Sequence, residues 1–389
     1  MFCAFANTQL YIYSILLRIS MTKLIRKKIN FWDPVVGKNE VKLIDKALKM
    51  NWPNEGLFTK LFEDKIKKLI NVKHAVCVTS GTIGIFLALK AVGVGNGDEV
   101  IVPDITFGAT AMAVKLANAK LVLVDVNKKN LSFDINKIKK KINKKTKAII
   151  PVHISGRSAD MKNLNEIAKA KKIHIIEDAA EALLSKYKNK YLGTIGDLGC
   201  FSLTASKTIT TGQGGIIVTN NTNFYNKIKL LKNQGIKGKS DGGNVKHLTV
   251  GFNFKFTNLQ SAMGLAQLST LKKRCVRLKR INKMYRDNLK DVDQIKILDF
   301  SPDEVPLWTD ALVTKKRDKL IDFLKKNNIE CRKFWYPLHI QKPFKEPNNK
   351  YKNATEIYKN LFWLPSSLRL TDNDINRVCN LIRKFYKKN

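Results

Sequence analysis

The strongest constraint on the fold of this chain is an alternation. From His74 to Thr219, short runs of apolar and β-branched residues give way at regular intervals to helical stretches. His74–Thr79, Glu99–Val102, Leu121–Val126, Ala148–Val152 and Ile173–Glu177 read as strands, with Gly199–Leu203 and Gly215–Thr219 as shorter ones. Between them, Ile83–Val92, Thr110–Ala117, Ile135–Ile142 and Met161–Ala170 read as helices. Strands joined through helices have to cross over, and such crossovers build a parallel sheet covered by helices. One open, mostly parallel α/β sheet is therefore expected over about residues 70–225.

The flanks differ. Glu40–Leu69 is helical except at Asn51-Trp52-Pro53-Asn54-Glu55-Gly56, where Pro and Gly mark a loop. Ser261–Leu289 reads as one long helix able to bridge two units, and the remainder to Asn389 mixes short strands and helices. A chain of 389 residues suits two packed units rather than one core. The expected division is a large domain over 21–265 and a smaller α+β domain over 266–389. Residues 1–20 hold an apolar stretch too short to span a bilayer and lack a basic leader or a small-residue cleavage site, so they are set apart as a non-native or disordered extension.

Charge suggests a nucleic-acid or membrane partner, with Lys+Arg 71 against Asp+Glu 32. The excess is mostly Lys, runs the whole length of the chain and accompanies abundant Asn and Ile, which fits a lysine-rich bias better than a phosphate-shaped patch. Lys139–Lys141 and Lys144-Lys145-Thr146-Lys147 are read as solvated faces, and no nucleic-acid or membrane partner is expected. The six cysteines show neither paired nor metal-ligand spacing, so no disulfide framework and no metal site are expected, and a reducing cytoplasm fits best.

Ligands of open α/β sheets gather beyond the carboxyl ends of the strands, and four such ends carry chemistry. Thr79-Ser80-Gly81-Thr82 joins a strand to a helix, so its N–H groups and hydroxyls can cradle a phosphate or simply cap the helix. Asp178, followed by small alanines, either faces the ligand crevice beside a flat ring or caps a helix. Lys207 lies between Phe201-Ser202-Leu203 and the turn Thr210-Thr211-Gly212-Gln213-Gly214-Gly215, where an amine can meet a bound aldehyde, although most lysines here face solvent. Ser202 could add a hydroxyl, and Phe107 either stacks on a planar ligand or belongs to the core.

Together with Gly97-Asp98-Glu99-Val100-Ile101-Val102-Pro103, Thr106-Phe107, Glu177-Asp178-Ala179-Ala180, Gly196-Asp197, Cys200-Phe201-Ser202 and Gly251-Phe252-Asn253, these blocks make the chain resemble the DegT/DnrJ/EryC1/StrS family of sugar aminotransferases from about Phe31 to Lys384. The resemblance implies a pyridoxal 5'-phosphate enzyme of fold type I, in which Lys207 holds the cofactor as a Schiff base and moves the proton. It further implies that Asp178 pairs with the pyridinium, that Phe107 stacks on the ring, that Ser80, Gly81, Thr82 and Ser202 bind the phosphate, and that Asn253 reaches the phosphate of a neighbouring subunit in a homodimer with shared sites. Glu181 departs from the commoner Gln or His near the ring hydroxyl and resembles the perosamine synthase branch. Trp52, Glu55, His247 and His339 fall where the family builds its sugar-nucleotide site. The implied reaction moves an amino group from L-glutamate, which leaves as 2-oxoglutarate, to a nucleotide-linked 4-keto-6-deoxy sugar for surface polysaccharide. Amination at C3 is the alternative. Sugar deoxygenation is disfavoured because those relatives carry His where this chain has Lys207, and a non-catalytic regulatory relative is disfavoured because Lys207, Asp178 and the phosphate turn are all kept.

Overall fold

The structure, a computed structural model, describes residues 27–238 and 245–388, so the extension expected at 1–20 lies outside the described residues. Helices α1 (Lys38–Lys49) and α2 (Leu57–Ile70) precede β1 (His74–Val78). The alternation follows: α3 (Gly81–Ala91), β2 (Glu99–Pro103), α4 (Gly108–Leu116), β3 (Lys120–Val124), α5 (Ile135–Lys141), β4 (Thr146–Ile149), α6 (Met161–Lys171) and β5 (His174–Asp178). A small hairpin, β6 (Lys186–Tyr187) and β7 (Lys190–Tyr191), leads into β8 (Leu198–Ser202), β9 (Gly215–Thr219) and α7 (Thr222–Lys232).

Seven of these strands form one sheet in the order β1-β9-β8-β5-β4-β2-β3. Neighbours from β8 through β5, β4 and β2 to β3 pair in parallel, whereas β9 runs antiparallel to both β1 and β8. Because β9 reverses direction between them, β1 points the same way as β8. The carboxyl ends of β1, β2, β5 and β8 therefore share one edge, and the four strand ends singled out in the sequence, leading to Ser80, Phe107, Asp178 and Ser202, lie along it. Both faces of the sheet are covered: Ile101, Ile149 and Ile175 pack against Met161, Leu164 and Ala168 of α6 on one side, while Val76, Val100, Val102 and Ile176 join the larger core on the other. This accounts for the near-continuous apolar runs of β2 and β9. The lysines of α5 follow the same logic, since Ile138 is buried and Lys139, Lys140 and Lys141 are exposed.

The expected single helix over Ser261–Leu289 is instead two, α8 (Asn258–Leu268) and α9 (Leu271–Leu289). At the break the Ser269 and Thr270 hydroxyls donate back to the carbonyls of Ala266 (2.7 Å) and Gln267 (3.1 Å), and their N–H groups turn to the same carbonyls. Such back-bonding competes with helix propagation. Beyond it lie β10 (Ile295–Ile297), β11 (Thr309–Val313), α10 (Arg317–Lys326), β12 (Arg332–Lys333), α11 (Lys352–Asn360), β13 (Leu361–Leu364) and α12 (Asp372–Lys388).

These strands make a second, antiparallel sheet in the order β10-β11-β13-β12. Ile281, Tyr285 and Leu289 of α9 pack with Val378, Ile382 and Phe385 of α12 in its core. The chain start contributes as well: Ile29 bridges Ile329, and the Phe31 carbonyl accepts from Ser366 N at 2.9 Å. The segment around Ile29–Phe31, grouped by sequence with residues 21–265, thus packs with the second sheet.

Candidate active site

The Ser80-Gly81-Thr82 turn is built by contact between strand ends. Ser80 caps α3, its Oγ accepting from Ile83 N at 3.2 Å, and the Gly84 N–H already bonds the Ser80 carbonyl. The N–H groups of Gly81 and Thr82, in the first turn, have no intrahelical acceptor and point to the positive end of the helix. Ser202, at the end of β8, closes the cradle. A Cβ added to Gly81 would lie 3.1 Å from the Ser202 Cβ, and one added to Gly215 would lie 2.4 Å from the Ser80 carbonyl oxygen. Glycine at 81 and 215 is what lets the two strand ends meet.

Asp178 ends β5 and is buried. Its Oδ2 accepts from Thr110 Oγ1 at 2.7 Å and its Oδ1 from Ala180 N at 3.1 Å. Burial pushes the Asp178 carboxyl above the usual carboxylate range, while the Thr110 and Ala180 hydrogen bonds and the Lys207 charge pull it back. A carboxylate fixed in orientation and short of solvation is suited to a cationic N–H partner. Thr110 also ties this carboxylate to α4, whose N-cap residue, Phe107, is 63% exposed and meets Trp335 with ring centroids 6.3 Å apart. An exposed aromatic beside a buried carboxylate offers a face to a flat ring.

Lys207 sits in the tight turn after β8, where its N–H bonds the Thr204 carbonyl. Its Nζ donates to Glu181 Oε1 at 3.1 Å, and the side chain keeps 15% exposure. Backbone N–H donors at a helix start, a fixed carboxylate, an exposed aromatic face and a partly exposed amine thus line one edge. Each suits a different part of pyridoxal phosphate, so the residues present fit that cofactor.

Other expectations fare differently. His339 is fully buried: its Nδ1 lies 2.6 Å from Asp104 Oδ2, its Nε2 lies 3.4 Å from Thr355 Oγ1, and its ring stacks on Tyr351. With both ring nitrogens engaged inside the protein, His339 presents no open ring nitrogen in this arrangement. Glu55 turns inward, its Oε1 meeting the buried Lys232 at 3.0 Å, while Trp52 on the same loop is exposed. His247 and Asn253 are exposed on a segment that bridges to Ile236 and Asn233. Among the described residues, no hydrogen bond joins Trp52, Glu55, His247 or Asn253 to the Lys207 cluster.

Sequence reasoning missed an aromatic wall from the second sheet and the chain start. Trp335 packs on Trp363, Trp363 on Trp308 and Trp308 on Trp32, with centroids 5.1, 5.8 and 5.0 Å apart. Trp32 Nε1 donates to the Ala205 carbonyl in the Lys207 turn at 2.9 Å, and Trp308 Nε1 donates to Glu181 Oε1 at 2.8 Å. The one available signal was general: a buried indole N–H needs an acceptor.

A mostly parallel sheet with a lysine and a carboxylate at its carboxyl edge, completed by a small antiparallel domain, defines the architecture of pyridoxal-phosphate transferases. It matches Spr1654 from Streptococcus pneumoniae, solved in its PLP form, with a TM-score of 0.89 over 93% of this chain and 99% of that one at 24% identity. The chain belongs to the DegT/DnrJ/EryC1/StrS aminotransferase family, which it matches over residues 34–383. It is accordingly a pyridoxal-phosphate-dependent aminotransferase. Among curated relatives, it is 34% identical to the GDP-perosamine synthase of Escherichia coli O157:H7 over 365 residues, covering 92% of this chain and 99% of the relative. It is also 31% identical to the GDP-perosamine synthase of Vibrio cholerae over 366 residues, with the same coverage of each chain.

Proposed function

We propose that the protein transfers the amino group of L-glutamate to C4 of a nucleotide-linked 4-keto-6-deoxy sugar, as a perosamine synthase-like step toward a surface polysaccharide. The observation that carries this reading is the Lys207 amine, partly exposed and 3.1 Å from Glu181, on the same sheet edge as Asp178 and the Gly81–Ser202 cradle. Similarity to two GDP-perosamine synthases over nearly their whole length supports the sugar class.

In this reading the Gly81 and Thr82 N–H groups and the Thr82 and Ser202 hydroxyls grip a phosphate, and Ser80 shapes the turn. When bound, pyridoxal phosphate supplies an electron sink for charge developing on the carbon that bears the amine. With the cofactor bound, Asp178 would hold a proton on the ring nitrogen, Phe107 would cover the ring, and Lys207 Nζ would carry the proton. Glu181 holds Lys207 Nζ and would lie near the ring hydroxyl. Asn253 and His247, exposed and apart from their own chain's cluster, serve the site of a second copy, which makes the homodimer the working unit. Trp52 lines the nucleotide end.

A cytoplasmic location is supported by the free thiols Cys77, Cys200, Cys275, Cys331 and Cys379 and by the nucleotide-linked substrate. Among the described residues, no helix is long and apolar enough to cross a membrane. The test is amino transfer from L-glutamate to GDP-, UDP- and dTDP-linked 3-keto and 4-keto sugars, read by mass spectrometry and NMR of the products. Amination at C4 of one nucleotide sugar is expected. Exclusive amination at C3 overturns the C4 assignment, and no amination of any of them overturns the substrate class.

A further inference from the structure

Glu181 is the point where the second sheet touches the reactive lysine. Its Oε1 accepts from both Lys207 Nζ (3.1 Å) and Trp308 Nε1 (2.8 Å), and its Oε2 accepts from Ser155 N (2.9 Å). Trp308 immediately precedes β11, and Asp310 on β11 holds the other donor in turn. Asp310 Oδ1 accepts from Ser155 Oγ at 2.9 Å and from Trp363 Nε1 at 2.8 Å, while its Oδ2 accepts from Arg157 at 2.9 Å. The Ser155 carbonyl accepts from Leu307 N at 2.8 Å. Ser155 is thus gripped from the second sheet at its hydroxyl and carbonyl, in a left-handed conformation (φ 56°), and presents its N–H to Glu181.

Glu181, Trp308, Ser155, Asp310 and Arg157 are all buried. Rotating the Glu181 carboxylate away would strand the buried Trp308 indole N–H and the Ser155 N–H without acceptors. The carboxylate therefore has one orientation, and that orientation fixes where the Lys207 amine rests.

We propose that Trp308 is a positioning residue: it clamps Glu181 so that the Lys207 amine is tethered at a defined berth whenever it is not bonded to the cofactor, and docking of the second domain thereby controls how readily that amine attacks a carbonyl. This rests on the reading of Lys207 as the cofactor-bearing lysine. The tether is a charge-assisted hydrogen bond that must break before attack, and loosening the clamp weakens it.

The test is reductive methylation of the full-length, cofactor-stripped protein with formaldehyde and cyanoborohydride at one fixed pH. Labelling of Lys207 is read by peptide mass spectrometry against the exposed Lys139 in the same sample. Glu181→Gln is expected to raise relative labelling about tenfold, the equivalent of losing a hydrogen bond to a charged group. Trp308→Phe, which keeps a ring and deletes the N–H, is expected to raise it about threefold, with kcat falling and KM for glutamate unchanged. Ser155→Gly tolerates the positive φ, deletes only the hydroxyl link to Asp310, and keeps the proposal testable if Trp308→Phe does not fold; it is expected to give about a twofold rise. Unchanged relative labelling in the folded variants overturns the proposal. Full transamination by Lys207→Ala would instead overturn the reading beneath it and leave the labelling result standing.

Discussion

Lys207 and Lys232 are both largely withdrawn from solvent and both face glutamate, yet their surroundings lead to opposite uses. Lys232, at the end of α7, is 3% exposed, and its Nζ is enclosed by the Cys77 carbonyl at 3.0 Å, Glu55 at 3.0 Å and Glu63 at 3.9 Å. Burial pulls this amine down, but Glu63 and Glu55 outweigh burial and hold it above the usual lysine range. Two of its donors are taken by the Cys77 carbonyl and Glu55, and Glu63 adds a second carboxylate at ion-pair distance. Lys207 has one carboxylate oxygen, already shared with Trp308, and a side chain that keeps 15% exposure. What distinguishes Lys207 from Lys232 is an incomplete set of partners, not depth of burial.

Removing each amine separates the two cases. Lys207→Ala is expected to lower transamination by about 1,000-fold or more, in the range for loss of a proton-transferring group, while leaving the thermal midpoint near wild type. A variant that retains most of its turnover would remove Lys207 from the chemistry. Asp178→Asn keeps the shape and removes the fixed anion, so a loss of about 100-fold in kcat is expected, with weaker retention of the cofactor on dialysis. Unaltered kcat would show that the buried carboxyl has no electrostatic part in the reaction.

Legibility in the sequence divides along the same line. The Lys207 side was readable because its parts are short local blocks at strand ends: Ser80-Gly81-Thr82, Asp178 and Lys207 each stand where a strand pattern stops. The alternation that places them is a local signal too. The Lys232 cluster joins residues about 150 positions apart, from Cys77 and Glu63 to α7, and no spacing rule brings them together. Trp308 escaped notice for the same reason, since its acceptor is 127 positions away. The interior position of His339 was not legible because a polar residue in a loop-like stretch suggests an exposed side chain, whereas Asp104, 235 positions upstream, draws it inward. The break at Ser269-Thr270 was hidden because both residues also fit an exposed helical face.

Lys232→Met sharpens the comparison from the other side. It leaves Glu55 and Glu63 facing each other without their cation, and breaking a buried ion cluster in this way costs about 3 kcal/mol. A large fall in the denaturation midpoint is expected, with turnover per folded molecule within about threefold of wild type. Equal stability would mean that the enclosure contributes nothing. The sign with pH is fixed as well: because the folded amine is held above its ordinary value, its contribution is complete below that value and is lost only as strongly alkaline pH passes the raised one.

Asp104 and His339 provide a third buried pair, set three residues before Phe107 and sealed like Lys232. Burial raises the Asp104 carboxyl from 3.8 to about 6, against the opposing pull of His339. An acid raised on folding stabilises the folded state fully below its unfolded value, and that contribution fades as pH climbs through the folded one. The stability of wild type relative to Asp104→Asn should therefore shrink between about pH 4 and pH 7, read as the difference in urea midpoint at each pH. A gap that stays constant over this interval would show that Asp104 does not change its proton there. Turnover should respond less than stability, because this pair fixes the ground on which Phe107 stands and Lys207 lies beyond it.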